Sequence, residues 1–432
     1  MSDPWEVDSQ RVVVVGMGAA GLAAALAARH AGARVLVIAA GEGASGVASG
    51  TWDLDTDPSV QLAADARSLS DLLTDLARAR PAHPLAGPAS RPALAALLGE
   101  LERALPGLVA ASLEGERALV ATELGLFRRP ALRQDALLDL GAFSRARIGV
   151  ARLPSLHGLD PGLVAASLEE LAVDAGRALR FAPVDVGLEG PADLVELARR
   201  LDAPAGRERL AQALRDALVE TPCDAVLLPP ILGVERSDVR AIVQAAVGRP
   251  VGEMSASVAG PQAMRPSAAI ARALAAVGVT QRAASVCAVE VEPDGLLLTL
   301  ADEPSPHAKS TTLRARVVVL ATGKQPTASL LSAEGLWREP LAGLPMYERG
   351  QPLGPRALAD AVVGVQVDAE MRPRAEGGEL LSEHLFACGA LLDGIDVLGV
   401  GAGRVGAALS GWLAGAGAAR RVHRRHPDDR DG

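Results

Sequence analysis

The first clear pattern in the chain is four consecutive valines, Val12 to Val15, which stop at Gly16. A short β-branched run ended by glycine predicts a strand buried on both faces, as in a parallel sheet. Alanine and leucine then fill a helical stretch from Gly21 to about His30, which Gly32 ends, and Arg34 to Ile38 returns to a strand-like run. These pieces predict a βαβ unit. A second buried-strand run, Arg316 to Leu320, closes on Ala321-Thr322-Gly323, and a third, Leu385 to Gly389, leads through a glycine-rich loop into a helix from about Gly403 to Ala414. Between these ends the pattern changes. Helices broken by proline-rich loops run from about Gln61 to Leu105, and a strand-and-turn section spans Ala118 to Arg129. Up to Arg240, helical stretches such as GPADLVELARRL alternate with strand-like pieces such as DAVLLPP. Ala268 to Val277 predicts a helix ending at Gly278, and Ser285 to Val291 with Gly295 to Leu300 predicts a hairpin.

Strand-glycine-helix units near both ends, and none recognised between about 60 and 270, predict an α/β protein. Its Rossmann-like nucleotide-binding domain is expected from residues 1–60 and 265–418, with an inserted α+β cap over 61–264 and a disordered basic tail over 419–432.

The 432 residues are enough to bury a large core. Alanine, leucine, valine and arginine abound while Lys309 and Lys324 are the only lysines, which reads as coding bias, so the alanine runs receive no functional weight. A net charge of −9 and 2% aromatic residues speak against nucleic acid, which needs clustered cations and stacking platforms. The terminal RRVHRRHPDDRDG reads as a solvated tail, with binding to an acidic membrane surface as the other reading. Cys223, Cys287 and Cys388 are widely spaced and odd in number, which suggests neither disulfides nor a cysteine metal site and fits a cytoplasmic protein. The apolar run Val12 to Ala28 is interrupted by Gly16, Gly18 and Gly21 at motif spacing and is not read as a signal or membrane segment.

Gly16-Met17-Gly18-Ala19-Ala20-Gly21 follows a strand and opens a helix. In that setting Gly16 permits the tight turn, Gly18 lets backbone approach a phosphate, Gly21 allows close packing, and the helix N-terminus attracts the anion. The acid that commonly ends the second strand to hold a ribose is replaced by Ala39 and Ala40, with Glu42 the nearest carboxylate. This leaves open a smaller flavin such as FMN or an altered ribose contact. The small residues of the loop from Gly43 to Leu54, among them Ser49, Gly50 and Thr51, suit the approach of a planar ring, and Thr322-Gly323 resembles a second flavoprotein crossing. In 385–406, Gly389, Asp396, Gly401 and Gly403 surround the start of the last helix, whose dipole is expected to favour an anionic reduced ring. Ala390 stands where many flavoproteins carry an acid. His83, His157 and His384 read as packed or surface imidazoles, with no pair at metal spacing, and no catalytic base is identified.

Together SGTWDLD at 49–55, PAHPLAGP at 81–88, ELGLFR at 123–128, CDAVLLPPILG at 223–233, LATGKQPTASLL at 320–331, WREPLAGLP at 337–345 and LFACGALLDGID at 385–396 resemble the B subunit of anaerobic, quinone-linked glycerol-3-phosphate dehydrogenase. The resemblance implies a noncovalently bound FMN, with FAD as the alternative, and oxidation of sn-glycerol 3-phosphate to dihydroxyacetone phosphate with quinone as eventual acceptor. It also implies a larger FAD-containing A-type partner and an iron–sulfur C-type partner at the membrane, which would place the chain in the cytoplasm or peripherally at the inner face of the cell membrane. Arg404 in the glycine-rich loop departs from the family pattern. Arg128, Arg129 and Arg338 are the candidate anion contacts, because guanidinium matches phosphate oxygens. A stand-alone FAD-dependent oxidoreductase and a cofactor-free scaffold subunit remain as alternatives.

Overall fold

In the computed structural model, which describes residues 11–41, 49–54, 67–256, 260–301, 310–323, 330–331, 337–348, 351–352, 363–395 and 404–424, the valine run forms β1 (Arg11–Val15). Helix α1 (Ala19–His30) carries the chain to β2 (Arg34–Ala39). Three strands from the far end of the chain, β3 (Thr280–Ala283), β4 (Val317–Leu320) and β5 (Leu385–Ala387), complete one sheet in the order β3-β2-β1-β4-β5. Every pairing is parallel, with Val13 beside both Leu36 and Val318. Burial on both faces explains why β1 and β4 are continuous apolar runs rather than alternating ones. The order reverses at β1, so the C-terminal ends of β1 and β4 flank the crevice where open α/β sheets place ligands.

The last helix, α2 (Arg404–His423), lies against α1 and runs well beyond the Ala414 limit expected from sequence. Gly411, Gly415 and Gly417 weaken a helix in isolation, which made an early end reasonable. Here they are contact points. A Cβ on Gly411 would lie 2.1 Å from the Ala20 carbonyl oxygen, and one on Gly415 2.1 Å from that of Ala24. Ala19 to Ala28 are all buried, so the alanines of α1 are a packing requirement of two helices at close approach. This corrects the reading of that run as mere composition. The C-terminal end of α2 is tied down as well: Arg421 pairs with Glu383 at 2.9 Å, and Arg316 donates to the Arg424 carbonyl at 2.7 Å. The segment expected as a disordered tail from 419 is therefore helical to His423, and residues 425–432 lie outside the described residues.

The segment expected as an α+β cap divides into two kinds of structure. Helices Leu69–Ala79 and Ser90–Ala104 put Leu69, Leu72, Leu94, Leu97 and Leu101 into the same core as β1 and α1. Strands Arg145–Arg152, Ala178–Asp185, Ala225–Leu228 and Val251–Glu253 form a second sheet, and it is entirely parallel. The intervening helices, Pro161–Asp174, Leu194–Leu201, Pro204–Glu220 and Val239–Val247, supply the long crossovers that parallel strands require. This unit is α/β rather than α+β. The alternation was visible in the sequence, but the pairing direction was not, because no glycine motif marks its strand ends. The predicted hairpin is present as Ser285–Glu292 and Gly295–Ala301, with Ser310–Ala315 added as a third antiparallel strand.

Candidate functional site

The glycine turn after β1 is shaped by contacts that exclude any side chain. Gly16 has φ +110°, and a Cβ there would lie 2.3 Å from the Ala321 carbonyl oxygen; one on Gly21 would lie 2.0 Å from the Gly16 carbonyl oxygen. The first glycine thus seats the turn on the end of β4, next to Thr322 and Gly323, and the third lets α1 start directly over it. Gly18 is the N-cap of α1 and Ala19 and Ala20 its buried first residues. No side chain caps this end and its first turn holds no acid, so its N–H groups and dipole are available to an anion.

Gly389, at φ +80°, ends β5 against α1: its Cβ would lie 2.7 Å from that of Ala20. Its N–H donates to Ser410 Oγ on α2 at 2.8 Å. The Ser49–Asp53 strip is joined to the same helix, because Val405 N–H donates to the Asp53 carbonyl at 3.0 Å and Arg404 Nη1 to the Ser49 carbonyl at 3.2 Å. The structure therefore brings Gly16, Gly18, Ala19, Ala20, Gly21, Thr322, Gly323, Gly389, Ser49, Gly50 and Thr51 to one edge of the central sheet and its flanking helices. Asp396, Gly401 and Gly403 lie outside the described residues.

Charge in this region is buried. Asp53 is 2% exposed, and its Oδ2 accepts from Arg128 Nη1 at 3.3 Å and Thr51 Oγ1 at 3.5 Å. Burial pushes the Asp53 carboxyl above its ordinary range, with Arg128, Arg404 and Arg117 opposing. Burial likewise draws the Arg404 guanidinium down to about 10, and it lies 5.2 Å from the Trp52 ring centroid. One guanidinium, Arg128, thus pairs with the Asp53 carboxylate, and Arg404 and Arg117 add positive charge around it. Arg128, one of the three arginines nominated from sequence, reaches it. Arg129 instead donates to Glu116 at 2.9 Å and to the Arg117 carbonyl at 2.7 Å, and Arg338 to the Gly343 carbonyl and Glu376. Thr51 is fully buried and its hydroxyl is engaged with Arg128, so its side chain is committed to the fold.

His83 and His384 are committed to structure, while His157 is exposed. His83 Nδ1 accepts from Leu85 N–H at 3.1 Å, which leaves the proton on Nε2 to donate to the Gly394 carbonyl at 3.0 Å. His384 Nε2 accepts from Arg421, so its Nδ1–H donates to the Arg316 carbonyl at 2.9 Å. Burial leads in lowering both imidazole pKa values, and a neutral ring satisfies both sets of bonds. Burial also pushes the Cys388 thiol far up, which removes it as a nucleophile.

The site fits a phosphate-bearing flavin on three observations: the uncapped end of α1, the cationic excess around Asp53, and the Trp52 indole N–H, which is buried without a partner. A family model described as an FAD binding domain matches residues 11–404. The chain belongs to this FAD-binding family. Among curated proteins it is similar to the B subunit of anaerobic glycerol-3-phosphate dehydrogenase from Pectobacterium carotovorum subsp. carotovorum (strain PC1), 27% identical over 91% of this chain and 94% of that protein. The protein of the same name from Yersinia pseudotuberculosis serotype I (strain IP32953) is also 27% identical, with the same coverage. The resemblance carried by SGTWDL and its companion motifs thus extends over nine-tenths of the chain. Among solved structures, the 3-ketosteroid delta1-dehydrogenase from Sterolibacterium denitrificans covers 96% of this chain and 99% of its own, at 11% identity and a TM-score of 0.42. A likeness that loose bears on neither substrate nor mechanism. Alanine stands at both positions where an acid is expected, one for a ribose and one for a ribityl chain. Ala39 ends β2 with its carbonyl accepting from Ala284 N–H, and Ala390 is buried in a 3-10 turn.

Sequence reasoning missed the Asp53–Arg128 pair, although both residues stand in the motifs that carry the resemblance, and it missed Gln262, Glu253 and Arg265 altogether. Residues far apart in the chain that meet in a buried network leave no local spacing signal.

Proposed function

We propose that this chain is the flavin-carrying B-type subunit of a quinone-linked glycerol-3-phosphate dehydrogenase, with FMN as its cofactor. The carrying observation is the uncapped N-terminus of α1 at the strand-order reversal, bordered by small residues, in a chain similar to B subunits of that enzyme along most of its length. The N–H groups of Ala19 and Ala20 hold the phosphate, Gly18 lets it approach the backbone, and Gly16 and Gly21 permit the tight turn that presents them. Backbone of Ser49 to Thr51 lines the ring, and Arg404 and Arg128 favour added negative charge there. A bound flavin supplies a hydride acceptor that can return electrons to a partner. FMN is preferred to FAD because Ala39 and Ala40 give an adenosine ribose no carboxylate. Oxidation of the alcohol also needs a base, and His83, His384 and Asp53 are all engaged in structural bonds. Substrate chemistry is therefore assigned chiefly to an A-type partner, with electrons leaving through an iron–sulfur C-type partner at the membrane.

Heat release of the cofactor from purified protein, followed by its mass, tests the first step. FMN is expected; FAD would overturn the finer reading, and colourless protein that takes up neither flavin would overturn the whole. Dye reduction with glycerol 3-phosphate then separates the roles. The mixture with the A-type chain should turn over faster than this chain alone by about 10² or more, the contribution of a positioned base, and faster than the A-type chain alone. Full activity of this chain alone would establish a stand-alone enzyme.

A further inference from the structure

Gln262 is fully buried and makes every hydrogen bond its amide can make. Its Oε1 accepts from Gly50 N–H at 3.0 Å and Ala256 N–H at 2.8 Å. Its Nε2 donates to Glu253 Oε2 at 2.9 Å and the Met254 carbonyl at 2.7 Å. Two donors on one side and two acceptors on the other leave a single orientation for the amide. Its own carbonyl accepts from Gln134 Nε2, while Gln134 N–H donates to the Gly50 carbonyl at 2.9 Å. Both backbone groups of Gly50 are thus held from outside the strip, one by the Gln262 side chain and one by the adjacent strand.

What holds Gln262 belongs to the second parallel sheet. Glu253 ends its strand Val251–Glu253 fully buried, receives both Nη groups of Arg265 at 2.7 and 2.8 Å, and accepts from Leu232 N–H. Arg265 also donates to the Gly233 carbonyl at 2.9 Å and to Gln134 Oε1 at 2.9 Å. A paired, fully satisfied network in low dielectric is stiff, whereas one missing bond in it is costly.

We propose that Gln262 is a positioning residue for the flavin-facing strip, fixing Gly50 and its neighbours relative to the second parallel unit through Glu253 and Arg265. The proposal rests on the reading of Ser49 to Thr51 as part of the flavin site. Gly50 has room for no side chain because that amide stands beside it: a Cβ would lie 2.8 Å from Gln262 Oε1.

The full-length chain with Gln262→Ala tests this by two measurements, hydrogen exchange over residues 49–54 without flavin and the affinity for added FMN. The Gly50 amide is expected to lose protection, and FMN to bind about tenfold more weakly with a shifted visible spectrum, the scale of one lost buried hydrogen bond. Leu210→Ala, in the core of the second unit, serves as the comparison, since it lowers melting temperature without touching the strip. If Gln262→Ala does not fold, Gly50→Ala carries the test, because it pushes on the same amide from the other side. Exchange and FMN binding unchanged in a folded variant, or changed equally by Leu210→Ala, would overturn the proposal. Wild-type protein that protects Gly50 through Gln262 yet takes up no flavin would instead overturn the flavin reading.

Discussion

The protein contains two parallel sheets flanked by helices, and the helix that follows the first strand begins differently in each. In the central unit α1 begins with Gly18 and Ala19, uncapped and without an acid in its first turn. In the second unit the helix after the first strand is capped by Asp160, whose carboxylate accepts from Gly162 and Leu163 N–H, and the next is capped by Asp193, which accepts from Glu196 N–H. A helix end already satisfied by its own carboxylate repels a phosphate. The helix end after the first strand is therefore open to an anion in the central unit and occupied by a carboxylate in the second, although the later helices Pro204–Glu220 and Val239–Val247 of the second unit carry no side-chain cap.

Ion pairs also divide by burial. Arg128–Asp53 in the central site is buried, as is Glu253 of the second sheet in its pair with Arg265, whereas Arg152–Asp185 and Arg200–Glu196 of the second unit are exposed. Arg128→Met should be the most damaging single change, costing about 3–5 kcal/mol, because it strands a buried carboxylate, while Arg152→Met should cost less than about 1 kcal/mol. Urea unfolding of the two variants measures this, and equal costs would remove the distinction. Asp53 already has its pKa raised by burial, so in Arg128→Met the carboxyl is expected to take up a proton and the loss of stability to shrink as pH falls.

A smaller effect should follow from exchanging the caps. Gly18→Asp gives α1 the carboxylate that the second unit uses, and FMN affinity is expected to drop at least about tenfold with the fold retained. Asp160→Ala should cost about 1 kcal/mol of stability and leave FMN binding untouched. Titration with FMN and thermal melting distinguish the two outcomes. Unchanged affinity in Gly18→Asp would place the phosphate elsewhere.

The smallest predicted effect is on pH dependence. The pKa values of His83 and His384 are lowered from 6.5 in the folded chain, so below 6.5 the unfolded chain takes up protons that the folded one refuses. Stability from these two groups is complete above 6.5 and is lost as pH falls through their folded values. Replacing both by Asn should flatten the fall of the urea midpoint as pH drops below 6.5. A slope unchanged by that double substitution would assign the acid sensitivity to other groups. Both residues lie outside the second sheet, so this histidine-linked response should originate in the central unit.

The sequence by itself determined the central βαβ unit, the strands β4 and β5, the hairpin, the glycine turn and the family. Each of these is encoded locally: a β-branched run closed by glycine, a turn that admits no side chain, motifs read in order along the chain. Tertiary structure alone decided the rest. Gly411 and Gly415 look like helix breakers until Ala20 and Ala24 are set against them, and α1 looks compositionally biased until α2 covers it. The direction of the second sheet depends on which strands pair, and periodicity along one strand does not report its partner. The buried partners Asp53 with Arg128, and Gln262 with Gly50, stand 75 and 212 positions apart. Their pairing is enforced by the cost of leaving polar groups unsatisfied in a closed core, and that cost arises only once the chain has folded around them.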